Sequence, residues 1–171
     1  NGSGKTSLLR LIHGDVLPAR GQGYRFYYLC GQSHQSPLAS RRYMAMLTPE
    51  LQQAYRRYAI DLPGKNIVQT GLGQTFFLYH KPDHKQLKYI DFLFKVLEIN
   101  HLAEKPFLEM SNGEQKKILV ARSLALQPKV LILDEFFEGL DEHSHCSWLD
   151  FLQKISNQGV QLLISAFDNQ T

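Results

Sequence analysis

Cysteine is scarce: only Cys30 and Cys146 occur in 171 residues. Two isolated cysteines exclude a disulfide framework and the paired C-x-x-C of a metal-bound ribbon, and they read as reduced, intracellular thiols. Long apolar runs are also missing; none approaches the roughly 20 residues that span a bilayer. No charged-then-apolar leader precedes the first helix, and the chain opens on Asn1 without a Met, which is expected of a piece of a longer protein. Nor is there an excess of one charge. Nineteen Lys/Arg against 16 Asp/Glu leave +3, too dilute to mark a nucleic-acid footprint. What remains, 43% hydrophobic residues, suffices for the core of one globular domain.

The first residues carry chemistry. Asn1, Gly2, Ser3, Gly4, Lys5, Thr6 and Ser7 run straight into the apolar Leu8, Leu9, Leu11 and Ile12, a Gly-rich turn that opens a helix. This is the later part of G-x-x-x-x-G-K-[ST], whose first Gly would lie before Asn1. Such a turn lets backbone N–H groups converge on phosphate oxygens at the positive end of the helix dipole. Lys5 would reach the β- and γ-phosphates and Thr6 would join Mg2+. A Gly-rich cap with a chance lysine would look the same at this point.

Further along, Tyr24 to Leu29 reads as an aromatic strand, with Gln32 just after it. From Ser33 to Glu109 there is no Val/Ile-rich strand run. Thr48-Pro49-Glu50 starts one helix there and Asp83 precedes another, while Ile67 to Tyr79 is irregular. The α/β rhythm returns with a helix from Asn112, a buried strand Val130 to Leu133, a helix from His143 to Asn157 and a strand Val160 to Ser165. Strands alternating with helices predict a doubly wound parallel sheet, whose ligands bind at the carboxyl ends of strands.

Asp134 and Glu135 follow the buried strand directly. Carboxylates are costly there unless they face a ligand edge, where the first can orient Mg2+ and the second can position or deprotonate water. They also suit the first turn of a helix. Ser111 and Glu114 form an S-x-x-E capping box opening the preceding helix. His143, His145 and Cys146 look metal-like in one dimension. On a helix, however, residues two apart point to different sides, so a surface or partner-facing role is expected. Phe76 to Tyr79 reads as packing rather than a base-stacking platform.

In their order along the chain, these motifs resemble the ATP-binding cassette (ABC) ATPases. Gly2 to Thr6 is similar to the Walker A motif and Gln32 to the Q-loop. Met110 to Gln115 is similar to the signature L-S-G-G-Q, Val130 to Glu135 to Walker B and Gly139-Leu140-Asp141 to the D-loop. The resemblance implies a P-loop NTPase of the α/β class. Its parallel-sheet core would comprise residues 1–31 and 111–171, interrupted by a helical subdomain over 32–110. It further implies ATP and Mg2+ as ligands, with Thr6, Gln32 and Asp134 around the metal and Glu135 as catalytic base. Gln32 would sense the γ-phosphate, and two cassettes would pair head to tail, so that Ser111, Gly113 and Gln115 serve the partner's nucleotide.

Two departures stand out. Phe136 replaces the family's usual Pro, and Ala166 occupies the place of the switch histidine, which predicts slow hydrolysis at the site built on Lys5. Within the family, the chain is similar to metal-chelate importer ATPases and to soluble twin-cassette, molybdenum-linked or photorepair-type ATPases. The first likeness implies a membrane transport subunit as partner and a cytoplasmic, membrane-peripheral location. The second implies a switch on another macromolecule. For that switch, the basic doublets Arg41-Arg42, Arg56-Arg57 and Lys116-Lys117 are weak evidence of nucleic acid. The net +3 falls entirely within 32–110, where 10 Lys/Arg face 7 Asp/Glu, on the segment expected to meet a partner.

Overall fold

Val130–Leu133 is apolar at every position. The computed structural model, which describes residues 4–19, 23–29, 31–58, 60–79, 81–137 and 142–165, makes this run strand β4 at the centre of a parallel sheet. Leu131, Ile132 and Leu133 are fully buried, each gaining roughly 1.5–3 kcal/mol from removal of its side chain from water. β4 lies between β3 (Met44–Leu47) and β5 (Gln161–Ile164), and the register sets Leu47, Leu133 and Ile164 side by side. The residues that follow these strands therefore emerge together at one edge.

β3 falls inside the stretch read from sequence as a helical subdomain. Met44-Ala45-Met46-Leu47 contains no β-branched residue and gives no sequence signal for a strand, yet its backbone pairs with β4 along its whole length. Tertiary pairing overrides weak local preference here. The stretch 32–110 thus holds the strands β2 and β3 as well as helices. The aromatic strand is displaced too. β1 (Tyr27–Leu29) pairs antiparallel with β2 (Gln32–His34) in a separate hairpin, turning through Gly31 at φ 78°. That hairpin is tied to the C-terminal half of helix α1 (Lys5–His13): Arg25 donates to the Leu11 and Val16 carbonyls, and the Tyr27 hydroxyl to the Ile12 carbonyl. Helix α2 (Pro37–Arg41), capped by Ser36, leads from the hairpin to β3.

Between β3 and β4 run α3 (Pro49–Arg57), α4 (Gly64–Thr70), α5 (His84–Val96) and α6 (Asn112–Leu124). One hydrophobic cluster joins Leu47 and Leu133 of the sheet to Leu119 of α6, Ile67 and Val68 of α4, and Ile90 and Phe94 of α5. The close approach of α4 needs glycine: a Cβ on Gly64 would collide with the Leu102 carbonyl, and one on Gly71 with the Arg122 carbonyl. A buried polar knot lies alongside. Thr70 Oγ1 donates to the Ile67 carbonyl at 2.6 Å and accepts from Arg122 Nε at 3.0 Å, so the Tyr55 hydroxyl 3.0 Å away must be its second donor. α7 (Glu142–Asn157) crosses from β4 to β5, seating Trp148, Phe151 and Ile155 in the core. Among the described residues no helix is long and apolar enough to cross a membrane.

α6 begins in the expected capping box. Glu114 N–H donates to Ser111 Oγ at 3.2 Å and Ser111 N–H to Glu114 Oε2 at 2.7 Å. Lys105 Nζ adds bonds of 3.1 and 2.9 Å to the two carboxylate oxygens. The Lys105 hydrogen bond, joined by those from Ser111 and opposed by burial, holds the Glu114 carboxyl below its ordinary value of 4.5.

Two outcomes are expected. Gly71→Ala should lower the unfolding free energy by roughly 1–3 kcal/mol in urea titration, because backbone must shift to admit the methyl group. Glu114→Gln keeps the cap's shape but loses the charge. Because the folded carboxyl titrates below the unfolded one, its stabilisation is complete above about pH 4.5 and vanishes as pH falls through the depressed value. The stability gap between wild type and variant should be present at pH 7 and closed near pH 2.

Candidate functional site

The aligned strand ends place Thr48, Asp134 and Ser165 beside one another, with Asp134 N–H bonded to the Leu47 carbonyl at 3.0 Å and Ser165 N–H to the Leu133 carbonyl at 2.9 Å. Asp134 is 3% exposed. Its Oδ1 accepts from Ser165 Oγ at 2.7 Å, and the same hydroxyl accepts the Glu135 N–H at 2.8 Å. Glu135 has φ 50°, the left-handed region that a non-glycine residue enters at a cost. Both carboxylate residues line a cavity of about 110 Å3 with Thr48, Gln52, Lys116 and Phe136. Lys116 Nζ donates to the Phe136 carbonyl at 2.9 Å. Phe136, in place of proline, is buried edge-on against Trp148 of α7, with ring centroids 4.7 Å apart, and so docks the chain just past Glu135.

A larger cavity, about 310 Å3, lies along β3 between the C-terminal ends of α1 and α6. Of the carboxyl-edge residues it shares only Thr48, so the carboxylate chemistry belongs to the smaller one.

Lys5, Thr6 and Ser7 form the first turn of α1, following Gly4 at φ 77°; Lys5 and Thr6 are half-buried and Ser7 is exposed. The first turn contributes no acidic residue of its own, and its N–H groups and dipole favour an anion. Asn1, Gly2 and Ser3, the D-loop residues Gly139 to Asp141, and Ala166 lie outside the described residues. So do the side chains of His143 and His145 and all of Cys30.

Gln32 is not brought to this edge. It is exposed on β2 of the separate hairpin, and the strand feeding the edge beside β4 is β3. The glutamine that lines the carboxylate cavity is Gln52, on α3. The signal for it was the helix start Thr48-Pro49-Glu50, and the missing signal was a strand in front of it. α3 is further held to α1 by Arg10 donating to Glu50 at 2.7 Å. A hydrogen bond from Thr48 first, and the Arg10 guanidinium after it, keep the Glu50 carboxyl below its usual range.

At the signature turn, Ser111 and Asn112 are exposed and a Cβ on Gly113 would meet nothing within 4 Å. This face is open to a partner. Counted from Met110, the fifth letter of L-S-G-G-Q falls on Glu114, and Gln115 is the residue after it. Gln115 is 2% exposed. Its Oε1 accepts from Gln52 Nε2 and Arg56 Nε, both at 3.0 Å, and its Nε2 donates to the Phe107 carbonyl at 2.9 Å. With those bonds made, Gln115 faces inward and braces the turn. Arg56 also bonds Asn112 Oδ1. α3 thus reaches from the P-loop helix to the signature turn.

Residues 1–138 match the ABC transporter family. An uncharacterised ABC transporter ATP-binding protein of Bacillus subtilis, YvrA, is 29% identical over 171 residues, covering 98% of this chain and 36% of that protein. The nickel import ATP-binding protein LarO of Lactiplantibacillus plantarum is 27% identical over 177 residues, covering 99% and 69%. The chain thus spans about a third of one curated relative and about two thirds of the other. Among solved structures, cbiO1 of Clostridium perfringens, part of the ABC transporter complex cbiONQ, superposes with a TM-score of 0.73 at 24% identity, covering 98% of this chain and 64% of that one. On the family match and the shared P-loop NTPase fold, this chain is an ABC ATPase domain of the ABC transporter ATP-binding family.

Proposed function

We propose that this chain binds ATP with Mg2+ and hydrolyses it as one half of a head-to-tail cassette pair that drives a membrane transport subunit. The observation that carries this reading is the carboxyl edge of the sheet, where Asp134 and Glu135 emerge from β4 between Thr48 and Ser165. A nearly buried carboxylate such as Asp134 must be hydrogen-bonded or paired, and at a ligand edge a bound cation can share that task. No cluster of three or more His, Cys, Asp or Glu exists among the described residues. The Asp134 carboxylate and the Thr6 hydroxyl would offer hard oxygen ligands, a kind that suits Mg2+ shared with phosphate oxygens. Bound there, Mg2+ would neutralise charge developing on the β- and γ-phosphates.

The chain's own groups supply the rest. The first turn of α1 and Lys5 hold the phosphates, and Asn1, Gly2, Ser3 and Gly4 share in binding them, as the resemblance of the motif to Walker A implies. Glu135 orients the attacking water and takes its proton. Gln52 fills the place between α3 and the carboxylates that Gln32 does not reach. Ser111 and Gly113 present the open start of α6 to the nucleotide on the opposite cassette, braced from behind by Gln115. The names of the relatives, a nickel importer ATPase and a component of cbiONQ, support a transport-linked partner over a soluble twin cassette or a nucleic-acid switch.

Steady-state ATPase assays on the full chain with its partner cassette test this. Lys5→Ala should abolish ATP binding. Glu135→Gln should leave binding intact and cut turnover at least about a hundredfold, as expected for loss of a general base. With Ala166 at the switch position, wild-type turnover should be slow and Ala166→His should raise it. Fast turnover in the wild type that Glu135→Gln abolishes would contradict the weak-site reading, and turnover indifferent to Glu135→Gln would contradict the site itself.

A further inference from the structure

Ser165 belongs to none of the family motifs read in the sequence, yet its hydroxyl is the group on which both Walker B acids converge. We infer that Ser165 is a positioning residue of the ATPase site, its single hydroxyl setting the carboxylate of Asp134 and the backbone of Glu135 together. This inference rests on the function proposed above.

A serine hydroxyl has one proton to give and two lone pairs to receive with. Here the proton goes to Asp134 Oδ1 at 2.7 Å, the short distance of a charge-assisted bond, and one lone pair takes the Glu135 N–H at 2.8 Å. Each polar partner is otherwise expensive. Asp134 is 3% exposed and Ser165 7%, so neither bond has water as a ready substitute. Glu135 sits at φ 50°, a left-handed conformation that a non-glycine residue keeps only when its surroundings fix it. The N–H bond to Ser165 is such a fixture, and it determines where the Glu135 side chain leaves the backbone. Ser165 is itself held rigidly, as its N–H is bonded to the Leu133 carbonyl at 2.9 Å in the sheet ladder. The hydroxyl therefore transmits the position of β5 to two residues at the end of β4. One of them would govern Mg2+ and the other water.

A purely structural serine and a positioning serine differ in what their loss disturbs. Ser165→Ala removes both bonds at no cost in volume, freeing the Asp134 carboxylate to rotate and Glu135 to relax. In the full chain with its partner cassette, binding of a fluorescent ATP analogue in EDTA should stay unchanged. The Mg2+ concentration that half-maximally tightens that binding should rise roughly tenfold, and kcat should fall roughly tenfold with KM for ATP within about twofold at saturating Mg2+. Ser165→Thr, which keeps the hydroxyl on a strand-compatible side chain, should restore both. Should Ser165→Ala not yield folded protein, Ser165→Cys, of similar shape and weak as a donor, carries the same expectation. Wild-type Mg2+ requirement and wild-type kcat in folded Ser165→Ala or Ser165→Cys would overturn the inference, as would a Ser165→Thr protein as defective as either. Glu135→Gln, run alongside, separates the two levels: if it does not lower turnover, the proposed site fails rather than the role of Ser165.

Discussion

The register of a three-stranded parallel sheet governs this molecule. Because Leu47, Leu133 and Ile164 stand level, everything the chain does next begins from one line: Thr48 starts α3, Asp134 and Glu135 turn out of β4, and Ser165 closes the row. A slip of one residue in either pairing would turn alternate side chains to the opposite face and separate Ser165 Oγ from Asp134. The buried Leu131, Ile132 and Leu133 make that slip costly. The same apolar packing that stabilises the sheet therefore fixes the polar geometry at its end.

From that row, α3 carries the arrangement outward. Arg10 and Glu50 join it to the P-loop helix, while Gln52 and Arg56, one turn apart on the same face, hold Gln115 and Asn112 at the signature turn. The Arg10–Glu50 pair is largely exposed and contributes little stability by itself. The bonds to Gln115 are occluded and engage both ends of its inner amide, while Ser111 and Gly113 face out. Lys105 plays a complementary part by pinning the Glu114 carboxylate, so that the negative charge at this turn is held back toward the domain.

Much of this was legible in the residues. Val-Leu-Ile-Leu before two acids reads as a buried strand meeting a ligand edge, and S-x-x-E reads as the capping box that the structure contains. The misreadings have physical causes. Met44-Ala45-Met46-Leu47 has no β-branched side chain, so its identity as a strand exists only through pairing with β4. With that strand invisible, the aromatic run before Gln32 took its place, although Gly31 between two short polar-aromatic segments is the mark of a hairpin. Gln115 illustrates a different limit. Motif letters identify a turn, but one step of a helix rotates a side chain by about 100°, enough to carry it from the open face into the core. Ser165 was hidden because a lone serine at a strand end has no local pattern; its role comes from a residue 31 positions away.

In the proposed function, nucleotide and Mg2+ engage the carboxyl edge of the parallel sheet, not the β1–β2 hairpin. Amide hydrogen exchange on the full chain, with and without Mg2+ and ATP, measures this directly. Slowed exchange over 48–52, 134–136 and at 165, together with the first turn of α1 and no change at Gln32–His34, is the predicted result. Protection centred on Gln32–His34, with 134–136 and 165 unaffected, would contradict it.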